Sequence, residues 1–274
     1  MHEVDGVVAG LREDRTFDFD ERDFARVCRL IHGMAGINLG PSKRDMVYSR
    51  LSRRLRTLGL SRFRDYLDLL ERDVDAEGQS FINALTTNLT SFFREAHHFD
   101  MLAAQLRGAG PGPHAIWCCA ASTGEEPYSL AITACETFGT LTPPVRILAT
   151  DIDTGVLQTA ARGVYPLERI AELPARQQRD YFLRGTGPNA GMCRVKPALQ
   201  ALVEFRPLNL LDEDYGLRGG YLAVFCRNVM IYFDKPTQHA VLRRIAPLLA
   251  PAGVLYAGHS ESFAHAADVV KPSG

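Results

Sequence analysis

WCCAASTGEEPYSLAI, residues 117–132, decides the fold. An apolar run, a turn of small residues and a helical stretch opening at Glu125 read as strand, tight turn and helix. Small residues let the turn's backbone approach a ligand closely, and the helix start offers free N–H groups. A dinucleotide fingerprint requires G-x-G-x-x-G, whereas this turn contains only Gly124. The carboxylates Glu125 and Glu126 would repel a pyrophosphate; they suit a ligand with cationic and hydroxyl groups. An ordinary βα turn, with two carboxylates answering the helix dipole, produces the same pattern.

Working outward, the texture stays the same downstream. Apolar runs at 115–119, 145–149, 203–205, 222–226 and 254–257 are predicted strands, and 125–138, 156–162 and 236–249 are predicted helices. Short buried strands alternating with helices predict a parallel sheet covered on both faces, a doubly wound α/β domain that binds ligands at its strand carboxyl ends. One stretch, 181–197 (YFLRGTGPNAGMCRVKP), fits neither element and predicts a small antiparallel β excursion. Upstream, the pattern is helical. Asp20 can cap a segment carrying Phe24, Val27, Cys28, Leu30 and Ile31. Val47, Leu51, Leu55 and Leu58 form one stripe. Ser61 can cap a third helix with Phe63, Tyr66, Leu67 and Leu70 inward, and a fourth carries Phe81, Ile82 and Leu85. We therefore expect a helical N-terminal unit over 1–88 and an α/β unit over 89–274.

Composition narrows the class. At 46% hydrophobic, 23% charged and net charge −1, the chain is an ordinary globular one, with no overall field to recruit nucleic acid or a membrane. The N-terminus lacks a secretory core and no run reaches membrane-span length, so a cytoplasmic protein is expected. Six cysteines without a Cys-x-x-Cys pair read as buried free thiols rather than a metal site.

Three further motifs end at the expected ligand crevice. In ILATDID (147–153), Asp151 can accept hydrogen bonds from ribose hydroxyls, and Asp153 suits a helix cap. In VFCRNVMIYFD (224–234), Asn228 lies just past a strand end, with Tyr232 close behind. TTNLTSFFREAHHF (86–99) bridges the two units and offers Asn88, Thr90 and Arg94 as a lid. Ligand chemistry with a sulfonium, an amino group and a ribose fits this set, which points to S-adenosylmethionine. His97 and His98 diverge by about 100° on a helix and do not chelate one ion. The glycines at 108–112 and 185–187 lack strand–turn–helix context.

In their order, TTNLTSFFREAHHF, AASTGEEPYSLAI, ATDIDT, RGTGP, NLLD and FCRNVMIYFD resemble the CheR-type chemotaxis receptor methyltransferases across about 19–263. The resemblance implies a helical domain, a Rossmann-like methyltransferase domain with a β-subdomain, and S-adenosylmethionine as cofactor with S-adenosylhomocysteine as product. It assigns the cofactor to Asn88, Thr90, Arg94, Glu126, Asp151, Asn209, Leu210, Asn228 and Val229, with Arg94 and Tyr232 beside the transferring methyl. The substrate implied is a glutamate on the cytoplasmic helical region of chemotaxis receptors, methylated by a monomeric enzyme recruited to membrane-bound receptor arrays. After SESF the chain departs from the family pattern, so the last sheet strand is expected to be missing or replaced.

A glutamate carboxylate is ionised near neutral pH and needs no general base to attack a sulfonium methyl. Positioning is then the enzyme's task, with Arg94 expected to hold the acceptor carboxylate and Tyr232 either to donate to it or to line the methyl channel. Arg50, Arg53 and Arg56 lie off the apolar stripe, with Lys43, Arg44 and Arg54 nearby. They form either a solvated face or a docking surface for an acidic receptor helix; no nucleic-acid motif accompanies them. Arg184, Gly185, Gly187 and Arg194 either close a tight hairpin or offer a sheet edge to a receptor's C-terminal pentapeptide. A methyltransferase for a small molecule, and a noncatalytic receptor-binding module, are the competing classes.

Overall fold

The computed structural model describes residues 16–271. The first fifteen residues of the expected helical unit, with the N-terminal stretch read for a secretory core, and the last three of the chain lie outside that range. Four helices come first: α1 Glu21–Ala35, α2 Arg44–Leu58, α3 Phe63–Arg72 and α4 Val74–Leu85. Asp20 caps α1 and forms a reciprocal box with Asp23, and Gly36 ends it at φ 69. The apolar stripes face one another: Val27 and Ile31 of α1, Val47, Leu51 and Leu55 of α2, Phe63, Tyr66, Leu67 and Leu70 of α3, and Phe81 of α4 are all 0% exposed. Fully burying each such side chain stabilises the unit by about 1.5–3 kcal/mol. The expected Ser61 cap is displaced. The residue before α3 is Arg62, which makes no capping bond and instead pairs with Asp65 at 2.8 Å.

The α/β unit continues with α5 His97–Gly108, β1 His114–Cys118, α6 Glu125–Phe138, β2 Val145–Asp151, α7 Thr154–Arg162, β3 Val164–Pro166, α8 Ala175–Tyr181, β4 Phe182–Arg184, β5 Met192–Val195, α9 Pro197–Gln200, β6 Val203–Pro207, β7 Tyr221–Cys226, α10 Lys235–Ile245 and β8 Leu249–Ala257. Five strands form a parallel sheet in the order β6-β2-β1-β7-β8. The alternating side chains of β1 explain its two covered faces. Ile116 and Cys118 enter a core with α5, α6 and α7, whereas Trp117 and Cys119 enter another with α10. Strand order reverses around β1 and β7, so their carboxyl ends open a crevice there.

Two boundaries differ from the sequence reading. The second sheet, β3-β5-β4, is antiparallel and takes Val164–Pro166 as a third strand, so the β excursion begins well before residue 181. That strand is three residues long, too short for a periodicity signal. The last helix stops at Ile245 rather than near 249, because Pro247 lies in the 3-10 turn that follows. β8 forms the sheet edge, and no strand follows it among the described residues. No helix among the described residues is long and apolar enough to cross a membrane.

Candidate active site

One cavity lies in the crevice, walled by the carboxyl ends of β1, β2, β6 and β7 and roofed by the helical unit. It brings together Asn88, Thr90, Arg94, Glu126, Asp151, Asn209, Leu210, Asn228, Val229 and Tyr232, residues from five separate stretches of chain. Ile37, Asn38, Leu39, Lys43 and Met46 close it from the helical side. The two units are tied around it. Asn209 donates its amide to Met34 O at 2.8 Å, and the Asn38 N–H donates to Tyr232 O at 2.8 Å.

The turn after β1 divides its two carboxylates. Glu125, 1% exposed, turns away to the Arg169 guanidinium and the Thr123 hydroxyl. Arg169 also donates to Thr90 O at 2.9 Å, which fastens the 86–96 crossing to this turn. Glu126 faces the cavity, accepts from the Cys118 thiol at 3.3 Å and pairs with Arg227 at 2.5 Å. Burial pushes its carboxyl above the usual range, and Arg227 opposes that shift.

Asp151 ends β2 with its carboxylate accepting Ser122 N–H at 2.8 Å and Asp153 N–H at 2.9 Å. Burial raises its pKa to about 6 despite those two bonds. Asp153 caps α7 through Gly155 N–H and Val156 N–H, and its other oxygen accepts from Thr86 and Asn88. The Asn88 side chain is therefore bonded to this cap, and the Asn209 side chain ties the two units together.

Arg94 is half-buried and donates to Leu89 O at 2.9 Å. Among the described residues, four other than glycine hold positive φ: Phe93 at 51°, Glu95 at 57°, Ser122 at 48° and Asn228 at 57°. All lie on the loops that line or adjoin the cavity. Strained backbone of this kind costs about 1–3 kcal/mol per residue and persists where surrounding bonds impose it. Glu261 imposes one such bend by accepting Asn228, Val229 and Met230 N–H groups at 2.9, 3.0 and 2.8 Å.

Sequence reasoning passed over Arg227, Glu95, Glu261 and Arg169. Each carries a lone charge, and its partner lies far away in the chain. Among the described residues no group of three or more His, Cys, Asp or Glu side chains could hold a metal ion. The His97 and His98 rings lie 4.1 Å apart, tilted by 48° to one another, and burial lowers the pKa of His98 to about 4.

The expected receptor-facing cations do not act as one group. Arg50 donates to Leu85 O at 3.1 Å and Thr86 O at 2.6 Å, so it holds the inter-unit link. Arg54 forks onto buried Glu77, with both contacts at 2.6 Å, and Arg44 bonds Glu21 and Phe19 O. Lys43, Arg53 and Arg56 remain exposed, with Arg56 over the Phe17 ring at 5.5 Å.

In the small sheet, Arg194 stands opposite Val164 and Leu183, whereas Arg184 stands opposite Cys193. Consecutive positions alternate faces, so Arg184 and Arg194 point to opposite sides and cannot both meet one carboxylate lying on a single face. Gly185 serves the turn itself: a Cβ there would sit 2.1 Å from Asn189 O. Gly187 has open space around it but holds φ +55.

Residues 88–274 match the family model described as CheR methyltransferase, SAM binding domain, and residues 22–86 match the CheR methyltransferase, all-alpha domain. The chain belongs to the CheR methyltransferase family. It is 53% identical to chemotaxis protein methyltransferase 2 of Pseudomonas aeruginosa over 263 residues, covering 95% of this chain and 94% of that protein. Against the chemotaxis protein methyltransferase of Escherichia coli, it is 54% identical over 243 residues, covering 88% and 85%. The chain is thus an S-adenosylmethionine-dependent methyltransferase, and the parallel sheet with its small antiparallel companion lies within the span matched by the SAM binding domain.

Proposed function

We propose that this CheR-family enzyme esterifies glutamate side chains of chemotaxis receptors, consuming S-adenosylmethionine and releasing S-adenosylhomocysteine. The observation that carries the reading is the convergence of Glu126, Asp151 and Arg94 on one crevice that is closed by a helical unit with exposed cations. The relatives named as chemotaxis methyltransferases supply the biological setting.

The residues present fit the cofactor. Asp151 has acceptor capacity left after its two backbone bonds, which suits ribose hydroxyls. Glu126 is a buried anion at the cavity wall, suited to a cationic amino-acid moiety. Asn88 and Thr90 on the crossing, and the 209–210 and 228–229 backbone at the far strand ends, complete the enclosure. When bound, the cofactor supplies an electrophilic methyl.

What the chain's own residues do is position and exclude. Arg94, on a loop fixed at both ends, meets the incoming carboxylate, and Tyr232 lines its approach. Neither needs to move a proton, because a free glutamate is already ionised. Too tight an ion pair in the ground state would slow transfer, since the carboxylate loses its charge on the way to the ester. A half-buried Arg94 whose guanidinium is shared with Leu89 O gives a moderate contact of the required kind.

The exposed Lys43, Arg53 and Arg56 form the face that docks an acidic receptor helix, which recruits the protein to membrane-bound arrays. The β3-β5-β4 sheet accepts a receptor's C-terminal pentapeptide, and the enzyme acts as a monomer. Incubation with labelled S-adenosylmethionine and receptor-enriched membranes tests the whole reading. Base-labile label on receptors is expected. Label appearing only on small molecules, or nowhere, overturns it.

A further inference from the structure

Arg227 is a fully buried charge beside the cavity, its side chain 0% exposed. One arm pairs with Glu126 at 2.5 Å; the other bonds Glu95 at 3.1 Å and Arg94 O at 2.6 Å. Its guanidinium carbon lies 5.8 Å from the centre of the Phe99 ring. Glu95 in turn accepts from the Asn228 amide at 3.4 Å and from His259 N–H at 3.1 Å. Burial alone would push the Glu95 carboxyl up, but Arg227 and these donors outweigh it and hold it below the usual range.

These bonds share one geometric consequence. Arg94 sits between Phe93 and Glu95, both at positive φ, a backbone bend that few side chains adopt unaided. Arg227 grips that bend by its carbonyl and by the next side chain, and with the other arm holds the cofactor-facing Glu126. Glu95 ties the same bend to the loops after β7 and β8. We propose that the Arg227–Glu95 pair is a positioning device for methyl transfer, which sets the Arg94 guanidinium in register with the ligand held at Glu126. The proposal rests on the reading of Arg94 as the group that meets the acceptor carboxylate.

A planar fork is required for this task. A lysine ammonium keeps the charge but is a point donor, unable to span Glu126 on one side and the Arg94 bend on the other. Misplacement of a positioned group by about 1 Å costs rates on the order of 100-fold. The effect belongs in kcat, because the acceptor still docks on a surface the pair does not touch.

The test compares wild type, Arg227→Lys, Glu95→Ala and Glu95→Gln in full-length protein, reading kcat and acceptor KM in the receptor-membrane assay and folding by thermal melting. In Glu95→Ala and Arg227→Lys, kcat falls by about 100-fold with acceptor KM little changed. Glu95→Gln recovers most of the rate, since its amide oxygen still accepts from Arg227. Should Arg227→Lys not fold, Glu95→Ala decides the matter, because Glu95 is only partly buried. A folded Glu95→Ala with wild-type kcat, or a rate loss matching only the fraction unfolded, overturns the positioning role. An inactive wild type overturns the proposed function and this inference together, whereas an active wild type beside unimpaired variants overturns the inference alone.

Discussion

Replacing Asp151 with alanine should weaken cofactor binding by an amount the structure sets. An ionised carboxylate offers about four lone-pair sites. Ser122 N–H takes one at 2.8 Å and Asp153 N–H another at 2.9 Å, which leaves two for ligand hydroxyls. A hydrogen bond to a charged group contributes about 1.5–3 kcal/mol. Losses within one site are not additive, so a total of at least about 2 kcal/mol, roughly 30-fold in Kd, is expected. Calorimetric titration with S-adenosylhomocysteine at about pH 8, where the carboxylate is ionised, measures it. Because the variant also strands two backbone donors, its melting curve is recorded beside the titration. The pH dependence has a definite sign. Burial places the free-enzyme pKa of Asp151 at about 6, and the acceptor is the anion. Above about 7 the affinity is flat; below about 6 binding must expel a proton, so affinity drops about tenfold per pH unit. Asp151→Ala lacks that component. Equal affinities for wild type and a folded Asp151→Ala at about pH 8 would refute the assignment, as would identical acid limbs for the two proteins.

Other outcomes are equally specific. Arg94→Ala should lower methyl transfer on the order of 100-fold while the melting temperature stays near wild type, since Arg94 is half-buried and its guanidinium donates to Leu89 O on the same loop. Charge reversal at both Arg53 and Arg56 should depress receptor methylation and leave cofactor Kd unchanged, and wild-type methylation should itself fall with salt, because exposed charges are screened within about 8–10 Å; indifference to both would make them a solvated face. Arg194→Glu should weaken binding of a receptor-tail peptide at least about tenfold in fluorescence titration, the scale of one charge-assisted bond, without altering cofactor affinity. If no tail peptide binds the wild type, the small sheet's role is structural.

The sequence by itself determined the element types and the ends at which chemistry collects. Strand–turn–helix order around Glu126, and acidic or amide residues just past apolar runs, identify strand carboxyl ends because side-chain periodicity and turn chemistry are local properties. Asp153 as a helix cap and the inward face of α3 were legible for the same reason. What a charged side chain does with its charge was not. Of the six cations grouped around α2, Arg50, Arg54 and Arg44 turned out to hold the link, Glu77 and α1, since their partners lie 23–36 residues away. Arg184 and Arg194 looked like neighbours until strand register put them on opposite faces. Arg227, Glu95 and Glu261 gave no local signal at all. Their partners come together only when β1, β7 and the segment after β8 pack side by side, and a buried charge takes its meaning from the opposite charge that folding brings to it.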